Sequence, residues 1–165
     1  MFGAPFTVVC PIDGTGGDCD TAAHRGGRRF LACELGGMGR FSQASFDVGW
    51  QGTLRVFAHF NITGADTEPT ATQLIDIGAS SRFFTAEQHG LVQMHVRIGD
   101  AVQDGTLLGT LFDLHRFGTI LAEFYADRTG VIAILRRNPV VRPGDHLCLL
   151  SEEVNAEAIL QNKSG

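Results

Sequence analysis

The sequence predicts an α/β layer followed by a small all-β barrel or sandwich module. In the first part of the chain, apolar runs with strand character alternate with helical segments, which is typical of an α/β layer. After a polar, breaker-rich connection, short strands and turns form an internal near-repeat. We therefore predict an α/β part over 1–65, a linker over 66–82, a β module over 83–150 and a polar tail over 151–165.

Three apolar runs are predicted to form the strands of the α/β part. Each is rich in β-branched, aromatic or aliphatic residues and is bounded by glycine, proline or polar residues. They are Phe6–Cys10, Arg29–Leu35 and Leu54–Phe60. The glycine-rich segments Ile12–Asp20 and Gly36–Gly39 are predicted to be a loop and a turn.

Two short helices are predicted between these strands. The first covers Thr21–Gly27, with Asp20 or Thr21 as its N-cap and two glycines at its end. The second covers Ser42–Trp50, with Ser42 as its N-cap and an end at Gly49 or Gly52.

The second half of the chain repeats itself after about 40 residues. Gly90 matches Gly130, and Val102–Gly105 matches Val141–Gly144 in a Val-x-x-Gly pattern. Each unit is predicted to be a strand, a turn built on Gly-Asp or Pro-Gly-Asp, and a second strand. Because neither hairpin can bury its apolar face alone, two of them predict a flattened barrel or sandwich.

This doubled unit is similar to the biotinyl/lipoyl carrier fold. The carrier function needs a lysine at the hairpin tip between the repeats, and the segment Phe112–Asp127 has none. The only lysine of the chain is Lys163. The sequence therefore favours the fold without the carrier function, and it excludes Schiff-base chemistry in the folded body.

The net charge and the composition argue against several further classes of protein. The 13 basic and 18 acidic residues give a net charge of −5, which argues against a general nucleic-acid binder or an anionic-membrane binder. No apolar run is long enough for a membrane helix, and no secretory signal is visible at the start. None of the four cysteines forms a C-x-x-C pair. We expect free thiols in a cytoplasmic protein.

Glu34 is the strongest candidate for a catalytic residue. It ends a predicted apolar strand and precedes Leu35 and two glycines, so a rigid element would hold the carboxylate where substrate can approach closely. Such a carboxylate can take a proton from water and later protonate a leaving amine. The alternative is a solvated glutamate at a strand end.

Arginines precede this predicted strand. Arg25, Arg28 and Arg29 form a basic cluster in which Arg28 or Arg29 could pair with a substrate carboxylate through two hydrogen bonds. The alternative is a solvated turn.

No metal ligands are predicted on this chain. A zinc site needs three or four converging ligands, and the six histidines show no such spacing. The D-x-H segment Asp113–His115 is expected to be a surface hairpin, His59 a core residue and His24 a surface residue. An independent metal-binding protein that uses His24, His59 or His115 remains a minor hypothesis.

Several motifs resemble the succinylglutamate desuccinylase/aspartoacylase family, and within it the N-acetyl-diaminobutyrate deacetylases of ectoine breakdown. The chain has a D-T-A-A motif and a Glu-Leu-Gly-Gly motif, and the similarity runs in order from Phe2 to about Leu150. The segments that carry it are Phe2–Phe6, Asp20–Ala23, Phe30–Gly39, Gly90–Val92, Gly99–Gly105 and Arg142–Asp145. Met38 departs from the pattern where a glycine is usual, as does Phe60–Ile62.

The resemblance implies a zinc-dependent, carboxypeptidase-like hydrolase of N-acyl amino acids. The family's general base, which also acts as general acid, falls on Glu34. Its zinc ligands, in H-x-x-E and D-x-H motifs, precede the part of the family that this chain matches. The chain then corresponds to the C-terminal half, and zinc is expected on an N-terminal half or a partner chain. Alone, this chain is expected to be inactive.

A second hypothesis is a non-catalytic module. In it, the β module mediates domain or subunit contacts and the α/β part is a remnant. A missing half-domain would expose an apolar edge or face, which favours homo-oligomers.

Overall fold

The computed structural model describes residues 1–9, 18–37, 39–64, 68, 70–78 and 80–157. Predicted features at Cys10, at 12–17, at Met38, at 158–165 and at part of the linker lie outside the described residues. The chain divides into two compact units, Met1–Gln73 and Leu74–Gly165. None of the helices in the described ranges has the length and apolar character needed to cross a membrane.

The first unit has one strand and two helices among its described residues. They are β1 (Phe6–Val9), α1 (Cys19–Arg25) and α2 (Gln43–His59). Beside β1, the hydroxyls of Thr7 and Thr72 lie 2.9 Å apart, and the Gln73 amide donates to the Pro5 carbonyl at 2.9 Å. These bonds hold the two ends of the unit together.

Helix α1 begins earlier than predicted. Asp18, in extended backbone, is the N-cap, and its carboxylate accepts a hydrogen bond from the Thr21 amide at 3.1 Å. Gly26 is the C-cap, so the glycine end was predicted correctly. The predicted caps Asp20 and Thr21 both lie inside the helix because Asp18 already satisfies the first free amide.

Helix α2 begins where the sequence predicts and ends much later. The Ser42 hydroxyl accepts from the Ser45 amide at 3.0 Å, which confirms the predicted cap. The helix continues through Gly49 and Gly52 because both are buried under neighbouring side chains, so tertiary packing overrides their weak helix propensity. The predicted third strand, Leu54–Phe60, is therefore wrong: all of it except Phe60, the C-cap, lies in α2.

The predicted second strand, Arg29–Leu35, is also wrong. The described residues between α1 and α2 form neither helix nor strand, and residues 28–35 are exposed. A strand needs a hydrogen-bonded neighbour, and no described strand pairs with this segment. Its apolar residues indicated a strand, but among the described residues of this unit they meet no sheet.

The second unit is built from antiparallel strands. Nine strands follow α2 among the described residues, and the first of them starts at the last residue of the first unit. They are β2 (Gln73–Asp76), β3 (Arg82–Thr85), β4 (Gly90–Met94), β5 (Ala101–Val102), β6 (Leu107–Phe112), β7 (Ile120–Tyr125), β8 (Gly130–Leu135), β9 (Val140–Val141) and β10 (His146–Glu153). The segment predicted as linker contains β2, and β10 extends into the predicted tail.

Two sheets form the second unit. In one sheet, β10 pairs with β2, β3 and β8, and β8 pairs with β5. The other has the order β7-β6-β4-β9. The two repeats are not closed hairpins, because β4 pairs with β9 of the other repeat and β5 pairs with β8. The described strands form no closed barrel, and the likeness to the biotinyl/lipoyl module is not confirmed.

The hydrophobic core lies in the second unit. One buried cluster joins Leu108 of β6 to Ile132 and Leu150 of the other sheet, and a second surrounds Leu111 and Val141. Among the described residues, every buried hydrophobic side chain belongs to this unit. In the described part of the first unit only Thr21, Gly49 and Gly52 are buried.

Candidate functional site

Glu34 lies in the irregular segment between the two helices. It is exposed, and within the described part of the chain its carboxylate forms no hydrogen bond or ion pair. The prediction that a strand holds this carboxylate rigidly is wrong. The structure leaves Glu34 accessible to a substrate and does not fix its orientation.

A turn after Glu34 anchors this segment to α2. Gly36 has a φ of 84°, which favours glycine, and a Cβ at this position would lie 2.8 Å from the Ser45 hydroxyl. Leu35 packs against Gly49, where a Cβ would come within 2.9 Å of the leucine side chain. The two contacts explain why a glycine stands at position 36 and why α2 contains one at position 49.

An apolar groove lies beside this segment. It has a volume of about 310 Å³ and is lined by Phe2, Cys33, Leu35, Phe46, Gly49, Trp50 and Thr53. The residues on either side of Glu34 line the groove, whereas Glu34 itself does not. The groove is therefore a packing surface of α2 and holds no described carboxylate.

The pKa of the Cys33 thiol is shifted by its position beside the groove and Glu34. Although the residue is largely exposed, partial desolvation of its thiol, and next the negative charge of Glu34, raise the pKa of Cys33 above its ordinary value. The thiol is thus a poor nucleophile at neutral pH, and the groove contains no activated cysteine.

Arg28 and Arg29 are both exposed just after α1. The Arg29 guanidinium lies 5.4 Å from the centroid of the Phe60 ring, at the end of α2. No ion pair joins either arginine to Glu34 in the described residues. The structure keeps both side chains available to an anion but does not assemble them with the candidate base.

The histidines do not converge. His24 is exposed in the last turn of α1, as predicted, whereas His59 is exposed at the end of α2 with its ring against Phe60, so its prediction as a core residue is wrong. Asp113 accepts hydrogen bonds from the amides of His115 at 2.7 Å and Arg116 at 3.1 Å, which makes it a turn cap.

The described residues contain no group of three or more His, Cys, Asp or Glu side chains that could hold a metal ion. The residues that the structure describes therefore do not fit a zinc site, whose ligands have to converge within bonding distance.

The stacked aromatic side chains of α2 were not predicted from the sequence. Phe46 and Trp50 stack with ring centroids 6.4 Å apart and an angle of 6° between the planes, and Phe41 lies 6.2 Å from Phe46. The i, i+4 spacing of Phe46 and Trp50 was visible in the sequence, but the predicted helix ended at its second member.

The described residues combine two helices and antiparallel sheets with an exposed candidate carboxylate. No family model matches the chain. It is 29% identical over 157 residues to the N-alpha-acetyl-L-2,4-diaminobutyric acid deacetylase of Halomonas elongata, a match that covers 94% of this chain and 46% of that protein.

Solved structures give the same result. A succinylglutamate desuccinylase from Silicibacter sp. TM1040 is 25% identical with a TM-score of 0.83, over 93% of this chain and 46% of that one. The product-bound ectoine utilization protein EutE (DoeB) of Ruegeria pomeroyi is 26% identical with a TM-score of 0.81, over 92% and 47%.

The resemblance to the succinylglutamate desuccinylase/aspartoacylase family is thereby confirmed. The chain spans about half the length of the relatives it matches, which fits the C-terminal half.

Proposed function

We propose that this chain is the C-terminal half of a zinc-dependent, carboxypeptidase-like deacylase that hydrolyses the amide bond of N-acyl amino acids. The observation that carries the proposal is the similarity to the Halomonas elongata deacetylase over nearly the whole chain. The substrate class comes from that relative's name, and N-acetyl-diaminobutyrate is the compound to test first.

Glu34 is proposed as the general base and then the general acid. Its carboxylate takes a proton from the water whose oxygen attacks the acyl carbon. As the carbon–nitrogen bond breaks, the same carboxyl gives its proton to the departing amine. The exposed, unpaired state of Glu34 among the described residues supports this assignment, because nothing there competes for its oxygens.

Two further parts are proposed to complete the site. Arg28 or Arg29 binds the carboxylate of the amino acid, for which both are exposed. The zinc ligands are supplied by an N-terminal half or a partner chain, because the described residues of this chain do not fit a zinc site.

A chimera tests the proposal. This chain replaces the matched 46% of the Halomonas elongata deacetylase, and release of acetate from N-alpha-acetyl-L-2,4-diaminobutyrate is measured with zinc. We expect turnover, and we expect Glu34→Gln to lower kcat by about 100-fold or more with little change in KM. Glu87→Gln, at an exposed carboxylate of the second unit, is the matched control and should leave kcat unchanged.

Two results would contradict the proposal. A folded, zinc-loaded chimera without activity on any N-acyl amino acid would favour the non-catalytic module. An active chimera in which Glu34→Gln retains full kcat would keep the deacylase and remove Glu34 from its chemistry.

A further inference from the structure

Helix α2 carries an apolar stripe that the described residues of the first unit cover only in part. The stripe consists of Phe46, Trp50 and Phe57, whose side chains are 49%, 55% and 39% exposed. At 3.6 residues per turn, these three positions lie within about 40° of one another around the helix axis. They therefore form one continuous face.

The neighbouring face of α2 is already packed. Gly49 and Gly52 are buried, and Cβ atoms there would meet Leu35 at 2.9 Å and the Phe2 ring at 2.5 Å. Arg55 donates to the Phe2 carbonyl at 2.8 Å and fixes this contact. The stripe is thus the remaining apolar side of a helix that is held in place.

The stripe also consists of uncharged, stacked aromatic side chains. The rings of Phe46 and Trp50 stack, and Phe41, which is 76% exposed, extends this aromatic surface beyond the helix start. Monomeric proteins rarely expose contiguous apolar patches of this kind, which mark contact surfaces. Because the face bears no charge, a partner with a charged surface would not match it.

The first unit has no core of its own among its described residues. A helix buries its apolar stripe against a second layer, and in α/β proteins that layer is a sheet. The relatives that this chain matches are about twice as long, so more than half of each lies outside the match.

We infer that the Phe46–Trp50–Phe57 stripe docks on the apolar face of a β-sheet carried by the other half of the protein. This inference rests on the proposal that the chain is one half of a deacylase. It identifies the surface that recognises that half, and it makes the stripe a condition for completing the site around Glu34.

Fluorescence tests the inference, since Trp50 is the only tryptophan of the chain. The probe is the part of the Halomonas elongata deacetylase outside the match, in a tryptophan-free form and without substrate or zinc. Iodide should quench Trp50 efficiently in the chain alone. Adding the probe should shift the emission to the blue and reduce quenching several-fold.

Variants test which surface is used. Phe46→Ser and Phe57→Ser should each raise the Kd for the probe by about 10-fold or more. A few buried aromatic side chains contribute most of the binding free energy of an interface, and serine removes such a side chain. Phe117→Ser, at a fully exposed phenylalanine of the second unit, is the matched control and should change Kd by less than about two-fold. Circular dichroism of each variant checks that it folds.

Three outcomes overturn the inference: no binding of the probe, binding that leaves Trp50 quenchable, or unchanged Kd in both stripe variants. Protection of Trp50 that appears only as the concentration of the chain rises would assign the stripe to a second copy instead. Zinc and N-alpha-acetyl-L-2,4-diaminobutyrate are then added in a second step. Docking without hydrolysis at that step would contradict the deacylase proposal alone, and hydrolysis with Trp50 still exposed would contradict this inference alone.

Discussion

Val102 lies directly opposite Gly130 in the antiparallel pair that β5 forms with β8. The equivalent residues, Val141 and Gly90, lie opposite each other where β9 pairs with β4. Each repeat of the second unit is therefore completed by a strand of the other repeat. Gly90 and Gly130 therefore occupy equivalent positions, each opposite a valine of the other repeat.

Replacing Gly130 with alanine should destabilise the second unit. The added Cβ would lie 2.5 Å from the Ser151 carbonyl oxygen, and a backbone atom cannot move aside without distorting the β8–β10 pairing. We expect the free energy of unfolding to fall by about 1–3 kcal/mol. Gly90→Ala should behave alike, since its Cβ would lie 2.6 Å from the Phe112 carbonyl oxygen.

Chemical denaturation measures this effect. Thr129→Ala, at the exposed neighbouring position, is the control and should change stability by less than about 0.5 kcal/mol. A Gly130→Ala variant as stable as the parent chain would contradict the close approach of the two strands.

The turns of the two repeats differ in one ion pair. Asp145 accepts from the Arg142 amide at 2.8 Å and from the Arg136 guanidinium at 2.9 Å. The equivalent Thr106 accepts only from the Gln103 amide, at 3.0 Å, among the described residues. Thr106→Ala should cost about 1 kcal/mol, and Asp145→Ala about 0.5–1 kcal/mol more.

The salt dependence of stability separates the Arg136–Asp145 ion pair from the hydrogen bond that each turn residue accepts from a backbone amide. The extra loss in Asp145→Ala should shrink in about 1 M salt, where a partly exposed ion pair is screened, and the loss in Thr106→Ala should persist. Equal losses at low salt would show that the Arg136–Asp145 pair contributes nothing to stability.

Thiol labelling reports on the surroundings of Glu34. Burial raises the pKa of Cys148 to about 11, so this thiol should resist iodoacetamide at pH 8 until the protein unfolds. Glu34→Gln removes the negative charge that helps to raise the pKa of Cys33, so more thiolate forms and labelling of Cys33 should become faster.

The effect of Glu34→Gln on the labelling rate of Cys33 should depend on pH. The acceleration should be seen at pH 7–8, where the Cys33 thiol is mostly protonated, and should disappear at a pH above its pKa in both proteins. Glu68→Gln, at another exposed carboxylate, should have no effect in peptide-resolved mass spectrometry. An unchanged Cys33 rate in Glu34→Gln would place the two groups further apart than the structure does.

Amide hydrogen exchange should separate the two units. The Ile132 amide donates to the Asp100 carbonyl at 3.0 Å inside the core and should exchange at least about 1,000-fold more slowly than an unstructured amide. Exposed residues 29–35 should exchange almost without protection in the isolated chain. Strong protection over 29–35 would show that the predicted strand forms after all.

The elements that depend on local sequence were predictable. The Ser42 cap needs only its own hydroxyl and the Ser45 amide, and the repeat needs only matching glycines and turns. The end of α2 was not predictable, because Gly49 and Gly52 stop a helix unless Leu35 and Phe2 cover them. The exchange of strands between repeats is likewise a property of the assembled sheets.

The sequence predicted which residues belong to the candidate site, but not the local structure that holds them. Glu34, Arg28 and Arg29 are accessible, as their roles require, but the strand expected to hold Glu34 is absent from the described residues. An apolar run such as Arg29–Leu35 becomes a strand only when a neighbour accepts its hydrogen bonds. Catalytic roles for these residues stay predictions.

The exchange of strands has a consequence for synthesis on the ribosome. The first repeat emerges first, yet β5 and one edge of β4 have their partners, β8 and β9, in sequence that is made later. Pairings between distant segments form slowly, and the early strand edges stay open while the chain grows. A nascent chain arrested before β9 should therefore leave one edge of β4 unpaired and open to chaperones, whereas release of the whole module allows both sheets to form together.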